Sequence, residues 1–195
     1  MLRVMIVDDS EPDSHRRSLY LRPMLEQVGY TVVAEVFEAR RMYEAVRARA
    51  PDIIIIDTES PSRDTLEHIA LLSATDPRPI VMFSSDRGGD TIRAAVRAGV
   101  SAYIVDGLAT ERVKPIIEVA VARFESFQAI KTELAQVKSK LADRKLIDRA
   151  KGVLMKARSI DEDDAYSALR KMAMERSLTI GDVSRQLLAV SDLLG

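Results

Sequence analysis

Short, uniformly apolar runs alternate with amphipathic segments over the first part of the chain. Uniform runs are typical of strands buried on both faces of a parallel sheet, whereas apolar residues at intervals of three and four indicate helices. The predicted strands are Arg3–Asp9, Thr31–Val36, Asp52–Asp57, Pro79–Ser84 and Ser101–Val105, each followed by a helical segment. This alternation predicts an α/β fold, a doubly wound five-stranded parallel sheet.

From Thr110 onward the pattern is helical. Apolar residues then repeat at alternating intervals of three and four at Phe127, Ile130, Leu134, Val137 and Leu141. That spacing predicts a coiled-coil seam of about two heptads, too short to be stable without help from flanking domains. We therefore expect a contact within a homodimer. The alternative is a single amphipathic helix that folds back on its own domain.

The last part of the chain predicts a small domain of three helices. The first begins at Leu146 and turns at Arg158–Ile160, the acidic run Asp161–Asp164 opens the second, and Leu178–Leu194 forms the third. Methionines 155, 172 and 174 are expected in its core. Gly152, in mid-helix, suggests close approach of another backbone. The predicted boundaries are 1–122 for the first domain, 123–145 for the helical linker and 146–195 for the last.

Composition narrows the function classes. The 195 residues are 47% hydrophobic and 30% charged, which is typical of a globular protein. The chain has no cysteine, which excludes disulfides and thiolate sites, and no apolar run long enough to span a bilayer. We expect a cytoplasmic protein that has no contact with membranes. The net charge of −1 means that a nucleic-acid footprint has to be a local patch.

Such a patch lies at Arg144–Arg158, which contains six basic residues and one acid, Asp148. A solvated helix face is the alternative interpretation, because most charge runs have no further role. Tyr166 is the one aromatic residue of the predicted last domain. A platform that stacks several bases of a single strand is therefore not expected, and recognition of a folded hairpin by shape and phosphate contacts fits better.

The same region resembles the ANTAR domain of RNA-binding transcription antiterminators. The resemblance is carried by the strings RAKGVLM (149–155), AY (165–166) and LRKMAM (169–174). It implies that the domain binds hairpins in leader transcripts, not duplex DNA. The residues expected to contact or steer RNA are Lys145, Arg149, Lys151, Lys156, Arg158 and Arg170.

In the first domain, Asp8, Asp9 and Asp57 lie at the ends of two predicted strands whose carboxyl ends meet at one edge of the sheet. A cluster of carboxylates suits a hard cation, and Mg²⁺ uses one or two carboxylates together with water or phosphate oxygens. The sequence therefore allows a Mg²⁺ site but requires no cofactor. Ser84 has no histidine at plausible reach, so a hydrolytic triad is not expected, and we predict that the protein is not an enzyme.

Residues 1–122 resemble the receiver domain of two-component response regulators, which has a flavodoxin-like fold. The resemblance implies Mg²⁺ binding by Asp8 and Asp9 and a phosphoacceptor role for Asp57. It also implies switch roles for Ser84 and Tyr103. Asp106 stands where receivers carry a lysine that pairs with the phosphoryl group. At an effective dielectric constant near 20, like charges about 4 Å apart repel by about 4 kcal/mol, which disfavours phosphorylation.

Asp106-Gly107 and the loop Thr58–Asp64 resemble the nitrate- and nitrite-assimilation antiterminators of the NasT type. This resemblance implies a separate nitrate-sensing partner that holds the protein until the inducer releases it. The resulting hypothesis is an antiterminator with an unphosphorylated receiver. The alternative is a response regulator activated by Mg²⁺-dependent phosphorylation of Asp57, which binds RNA or DNA.

Overall fold

Five parallel strands form the centre of the first of two units, Met1–Gln128. The computed structural model describes residues 1–9, 18–105 and 109–194. Its strands are β1 (Arg3–Asp8), β2 (Thr31–Val36), β3 (Ile53–Thr58), β4 (Ile80–Ser84) and β5 (Ala102–Val105). They lie in the order β2-β1-β3-β4-β5, with every pair parallel. The predicted doubly wound sheet is confirmed.

Helices cover both faces of this sheet. They are α1 (Ser18–Gln27), α2 (Met42–Arg49), α3 (Arg63–Thr75), α4 (Gly89–Ala98) and α5 (Thr110–Arg158), with a 3-10 turn at Ala39–Arg41. One core joins the sheet to α2, α3 and α4, and the other joins it to α1 and α5. The run Ile53–Ile56 of β3 is fully buried because successive side chains enter opposite cores.

Strand register brings the candidate chemistry to one edge of the sheet. Asp8 lies opposite Asp57 in the β1–β3 pair, and Thr58 lies opposite Ser84 in the β3–β4 pair. All four side chains are buried. The carboxyl ends of three adjacent strands therefore form one polar edge, as expected for an open parallel sheet.

The second unit, Ala129–Gly195, contains the later part of α5 together with α6 (Glu162–Arg176) and α7 (Ile180–Leu194). Its core contains Ala150, Leu154, Ala165, Leu169, Ala173, Val183 and Leu188. The carboxylate of Asp161 accepts a hydrogen bond from the Asp164 amide at 2.8 Å and so caps α6. The first helix of the predicted three-helix domain is the end of α5, not a separate element.

Two details of this unit differ from the sequence-based expectations. Met155 and Met172 pack against the core as expected, but Met174 is 74% exposed. A Cβ atom added at Gly152 would have no neighbour within 4 Å, so no other backbone approaches this glycine closely. The side chain of Met174 therefore lies outside the core, and a Cβ atom would fit at Gly152.

The seam residues of α5 are uncovered. Phe127, Ile130, Leu134, Val137 and Leu141 are each between 52% and 64% exposed. These side chains are therefore available for a contact, and the choice between a dimer contact and an intramolecular one stays a prediction. None of the described helices, α5 included, is long and apolar enough to cross a membrane.

Candidate functional site

Two carboxylates lie side by side at the end of β1 and β3. Asp8 and Asp57 are 2% and 1% exposed, and the backbone amide of Asp9 donates a hydrogen bond to the Asp57 carbonyl at 2.9 Å. Their positions follow from the strand register, since both residues end an apolar run. The structure therefore brings together the predicted phosphoacceptor and one predicted metal ligand.

Asp9 is engaged differently. Its carboxylate accepts a short hydrogen bond from the Thr65 hydroxyl and a second, at 3.3 Å, from the Ala39 amide. Thr65 is buried in the first turn of α3, where its amide donates to the Ser62 hydroxyl at 3.1 Å. Asp9 thus joins the end of β1 to α3 and to the 3-10 turn at Ala39–Arg41.

The donor set at this edge fits a magnesium ion. Two adjacent buried carboxylates are the number that Mg²⁺ commonly takes from a protein, with water or phosphate completing the octahedron. Among the described residues, no group of three or more His, Asp or Glu side chains is gathered closely enough to hold a metal ion. Asp9 would contribute through lone pairs that its hydrogen bonds with Thr65 and Ala39 do not use. The ligand set Asp8, Asp9 and Asp57 stays a prediction.

The loop after β4 is tied to the loop after β3. The Ser84 hydroxyl donates to the Glu59 carbonyl at 2.8 Å and accepts from the Asp86 amide at 3.1 Å. The amides of Ser85 and Asp86 also donate to the Glu59 carbonyl, each at 3.1 Å. Ser84 therefore acts here as a connector between two loops.

Asp86 is the centre of this connection. Its carboxylate accepts from the Gly88 amide at 2.7 Å, the Ser60 hydroxyl at 2.7 Å and the Thr91 hydroxyl at 3.0 Å. These hydrogen bonds, that from Gly88 foremost, lower the pKa of Asp86 below its ordinary value. The bond from Gly88 forms a local turn immediately before α4, and the bond from Ser60 holds the loop after β3.

Tyr103 of β5 joins the same network. Its hydroxyl donates to the backbone carbonyl of Asp86 at 3.0 Å. Burial raises the pKa of Tyr103, the hydrogen bond with Ser84 opposes this rise, and the charge of Asp86 adds to it. The two predicted switch residues, Ser84 and Tyr103, are therefore linked through Asp86. Asp106, the residue in the lysine position, lies outside the described residues.

Sequence reasoning did not identify Asp86, Ser60, Thr65 or Glu59. Asp86 carried a signal, because an aspartate commonly accepts a hydrogen bond from the backbone amide two residues further on, which here is that of Gly88. Thr65 also lies three residues after Ser62, as in a serine-capped first turn. Glu59 acts through its backbone carbonyl, and the identity of the side chain gives no indication of such a contact.

In the second unit, five of the six predicted RNA-binding residues are exposed: Lys145, Arg149, Lys156, Arg158 and Arg170. Of the ion pairs described between residues 129 and 194, none includes any of them. Their charge is therefore not neutralised by those pairs. Such exposed cations suit contact with phosphate, which dominates the affinity of nucleic-acid binding.

Lys151 is the exception among the six. Its ammonium lies 2.9 Å from the Asp148 carboxylate and 2.6 Å from the Glu162 carboxylate, and its side chain is 16% exposed. The hydrogen bonds with Glu162 and then Asp148 raise the pKa of Lys151. Lys151 thus joins α5 to the first turn of α6, and a phosphate would compete with two carboxylates for it.

Helix α6 displays three exposed residues at intervals of four. Tyr166, Arg170 and Met174 share one face of the helix because residues four apart lie one above the other. An aromatic ring, a guanidinium group and a flexible apolar chain are all suited to contact with an unpaired base. The pattern was visible in the sequence, but the helical core prediction had assigned Met174 to the interior.

Comparison with known families yields two matches in this chain. Residues 4–118 match the response regulator receiver domain, and residues 135–188 match the ANTAR domain. The second match begins within α5, ahead of residue 146. The predicted domain boundaries remain a prediction.

Two characterised relatives cover different shares of the chain. Transcriptional regulatory protein PdtaR of Mycobacterium tuberculosis is 32% identical over 168 residues, which are 86% of this chain and 82% of that protein. Nitrate regulatory protein of Klebsiella oxytoca is 35% identical over 88 residues, 45% of this chain and 22% of that protein. The first similarity thus extends over most of both chains.

Solved structures support the fold of the first unit. A LuxR-family two-component response regulator from Aurantimonas has a TM-score of 0.53 and 29% identity, over 63% of this chain and 86% of that one. The receiver domain of a modulated diguanylate cyclase from Desulfovibrio desulfuricans has a TM-score of 0.55 and 24% identity, over 64% of this chain and 97% of that one. The second likeness concerns the fold alone.

Proposed function

Because this chain belongs to the response regulators that combine a receiver with an RNA-binding ANTAR antitermination domain, we propose that it binds hairpins in leader transcripts and prevents termination. Its genes would be those of nitrate or nitrite assimilation. Its receiver would be controlled by a partner protein, without phosphorylation. A protein that binds nascent transcripts would act in the cytoplasm.

The observation that carries the RNA-binding proposal is the exposed basic surface of the second unit. Lys145, Arg149, Lys156, Arg158 and Arg170 are exposed in a chain whose net charge is only −1. Positive charge concentrated in one unit is the electrostatic footprint expected of a nucleic-acid-binding domain. The Tyr166–Arg170–Met174 face and the open space at Gly152 add positions at which loop bases could pack.

Control without phosphorylation is supported by the residue in the lysine position. Asp106 would add a negative charge where a phosphoryl dianion needs a cation. Ser84 and Tyr103 are also held by Glu59 and Asp86, so they are already connected to each other by protein hydrogen bonds. We propose that the first unit serves as a docking module for the partner.

The proposal of nitrate control is supported by fewer observations than the proposal of RNA binding. The similarity to a protein named nitrate regulatory protein supports it, together with the loop Thr58–Asp64 and Asp106-Gly107. We propose that the partner senses nitrate and releases this protein when the inducer is bound. The active form would be a homodimer, which is supported by the exposed seam on α5.

A phosphorylation-activated regulator is the second candidate. The buried pair Asp8 and Asp57 favours it, because this is the chemistry of a Mg²⁺-dependent phosphoacceptor site. In that case Asp57 would form an acylphosphate, and binding of RNA or DNA would depend on it.

Titration of the full chain against a two-hairpin leader RNA and a duplex DNA of equal length tests both candidates. Without a phosphodonor, we expect RNA to bind at least about 10³-fold more tightly than the DNA, the lower end of common specificity ratios. Acetyl phosphate with Mg²⁺ should leave the affinity unchanged and Asp57 unmodified by mass spectrometry. A stable acylphosphate that raises affinity would favour the second candidate, and equal affinity for both nucleic acids would contradict RNA specificity.

Arg149 and Lys151 differ in their partners, which predicts unequal effects of the same change in charge. Arg149→Gln should reduce the slope of log affinity against log salt by about 0.7–0.9, the value for one phosphate contact. Lys151→Gln should reduce it less, because Asp148 and Glu162 already neutralise Lys151. Filter binding at several salt concentrations measures both slopes. An equal or larger loss at Lys151 would show that RNA displaces its two carboxylates.

A further inference from the structure

Helix α5 carries a row of basic residues that extends beyond the predicted RNA contacts. Their spacings along the helix are seven, seven, four and seven residues. The row, named here the α5 basic stripe, consists of Lys131, Lys138, Lys145, Arg149 and Lys156. With 3.6 residues per turn, these five positions fall within about 40° of one another around the helix axis. All five side chains are exposed.

No acid of the same helix segment interrupts the stripe. With the same helical geometry, Glu133, Asp143 and Asp148 lie at least about 60° beyond its edges. Of the ion pairs described in the second unit, none includes a stripe residue. The stripe is therefore a row of five positive charges without described neutralising partners. At 1.5 Å per residue, it is about 37 Å long.

The stripe adjoins the exposed seam but does not coincide with it. Leu134 and Leu141 lie about 20° and 40° beyond the edge of the stripe formed by Lys145, on one side of the stripe. In heptad terms, Lys131, Lys138 and Lys145 lie beside the seam, at positions whose charged side chains border a coiled-coil contact without entering its apolar core. Pairing of two seams would therefore border the stripe without burying it.

We propose that the α5 basic stripe binds the phosphodiester backbone of the stem below the recognised hairpin loop. This inference rests on the proposed function and adds a second contact region to it, which begins at Lys131. The stripe is about 37 Å long. A hairpin loop of a few nucleotides is much shorter than this, so the loop alone would not occupy the whole stripe. Duplex RNA is recognised mainly by its shape and phosphates, which suits lysines acting as point charges.

Continuity with the proposed interface favours RNA over an acidic protein partner. Arg149 and Lys156 belong both to the stripe and to the predicted RNA contacts. A stem whose loop lies against the last domain would therefore meet Lys145, Lys138 and Lys131 in turn along one helix face. The linker helix then sets how much of the stem is bound, in addition to joining the two units in the chain.

The double variant Lys131→Gln/Lys138→Gln tests the proposal in the full chain. Its matched control is Lys114→Gln/Lys140→Gln, which removes the same charge from α5 outside the stripe. Lys140 lies about 180° from Lys131 around the helix, and Lys114 faces Glu118 in the first unit. Each protein is titrated with a hairpin that has a long stem and with one that has the same loop on a short stem. Analytical ultracentrifugation gives the dimer fraction, so affinities are compared per dimer.

With the long stem, the double variant should lower the salt slope by about 1.4–1.8, the value for two phosphate contacts. Wild-type affinity should then fall about 7–12-fold more than that of the variant between 50 and 200 mM salt. The short stem and the control variant should show no change. If the wild type binds tightly and the double variant has an unchanged salt slope, the proposal that the stripe binds the stem is overturned, and the proposed function is left intact. Absence of RNA binding by the wild type would overturn both.

Discussion

Replacing Leu134 with aspartate is expected to prevent the self-association that we propose for this protein. Leu134 lies in the middle of the exposed seam of α5, with Ile130 and Val137 next to it on the same face. Burial of a leucine side chain contributes about 1.5–3 kcal/mol, and a symmetric dimer loses one on each helix. The variant also places two carboxylates opposite each other in an apolar contact.

The dimer dissociation constant should therefore rise by at least about 10²-fold, and sedimentation velocity over a range of concentrations would measure it. Leu71→Asp is the matched control, because Leu71 is an exposed leucine on α3, a different helix from the one that carries the seam. The control should sediment like the wild type. A Leu134→Asp variant that dimerises as the wild type does would remove the seam from the interface.

The Leu169→Ala variant is expected to unfold the second unit. Leu169 is completely buried in α6, in a core that it shares with Leu154 and Val183. Truncation of a buried leucine costs about 2–5 kcal/mol. A core of this size rarely supplies more than about 3–5 kcal/mol, so the loss takes most or all of the available stability.

Hydrogen exchange measured by mass spectrometry should show the loss of protection in α6 and α7, while β1 and β3 stay protected. RNA binding should disappear with the fold. Val190→Ala serves as the control, because Val190 is an exposed aliphatic residue on α7, and its effect should stay within about 0.5 kcal/mol. Retained protection in α6 of Leu169→Ala would mean that α5 and α7 hold this unit without the leucine.

The sheet could be predicted from sequence because its strands are apolar on both faces. The run Ile53–Ile56 has no polar residue, and the structure buries every one of its side chains. Carboxylates at the ends of such runs then fall at one edge by topology alone, which is why Asp8 and Asp57 were predicted together. The start of α6 could also be predicted from the sequence, because its first turn is acidic.

Pairings between distant segments were not predictable in the same way. The Thr65 hydroxyl that binds Asp9 and the Glu59 carbonyl that binds Ser84 each depend on the packing of two loops. In the sequence, Lys151 is one of six predicted RNA-binding cations, and only the structure shows Glu162 beside it. Helical spacing also assigned Met174 to the core, but the structure leaves its side chain 74% exposed.

The unbroken helix α5 has a consequence for dissecting this protein. The two family matches end at residue 118 and begin again at residue 135, and every residue between them is helical. A cut there would leave up to four carbonyls on one fragment and four amides on the other without helical partners. A hybrid that joins this C-terminal half to another receiver would also need the helical phase to be kept. One residue added or removed at the junction turns every later side chain by about 100° around the helix axis. Exchange of receivers would then be tolerated only when the length of the junction changes by whole helical turns.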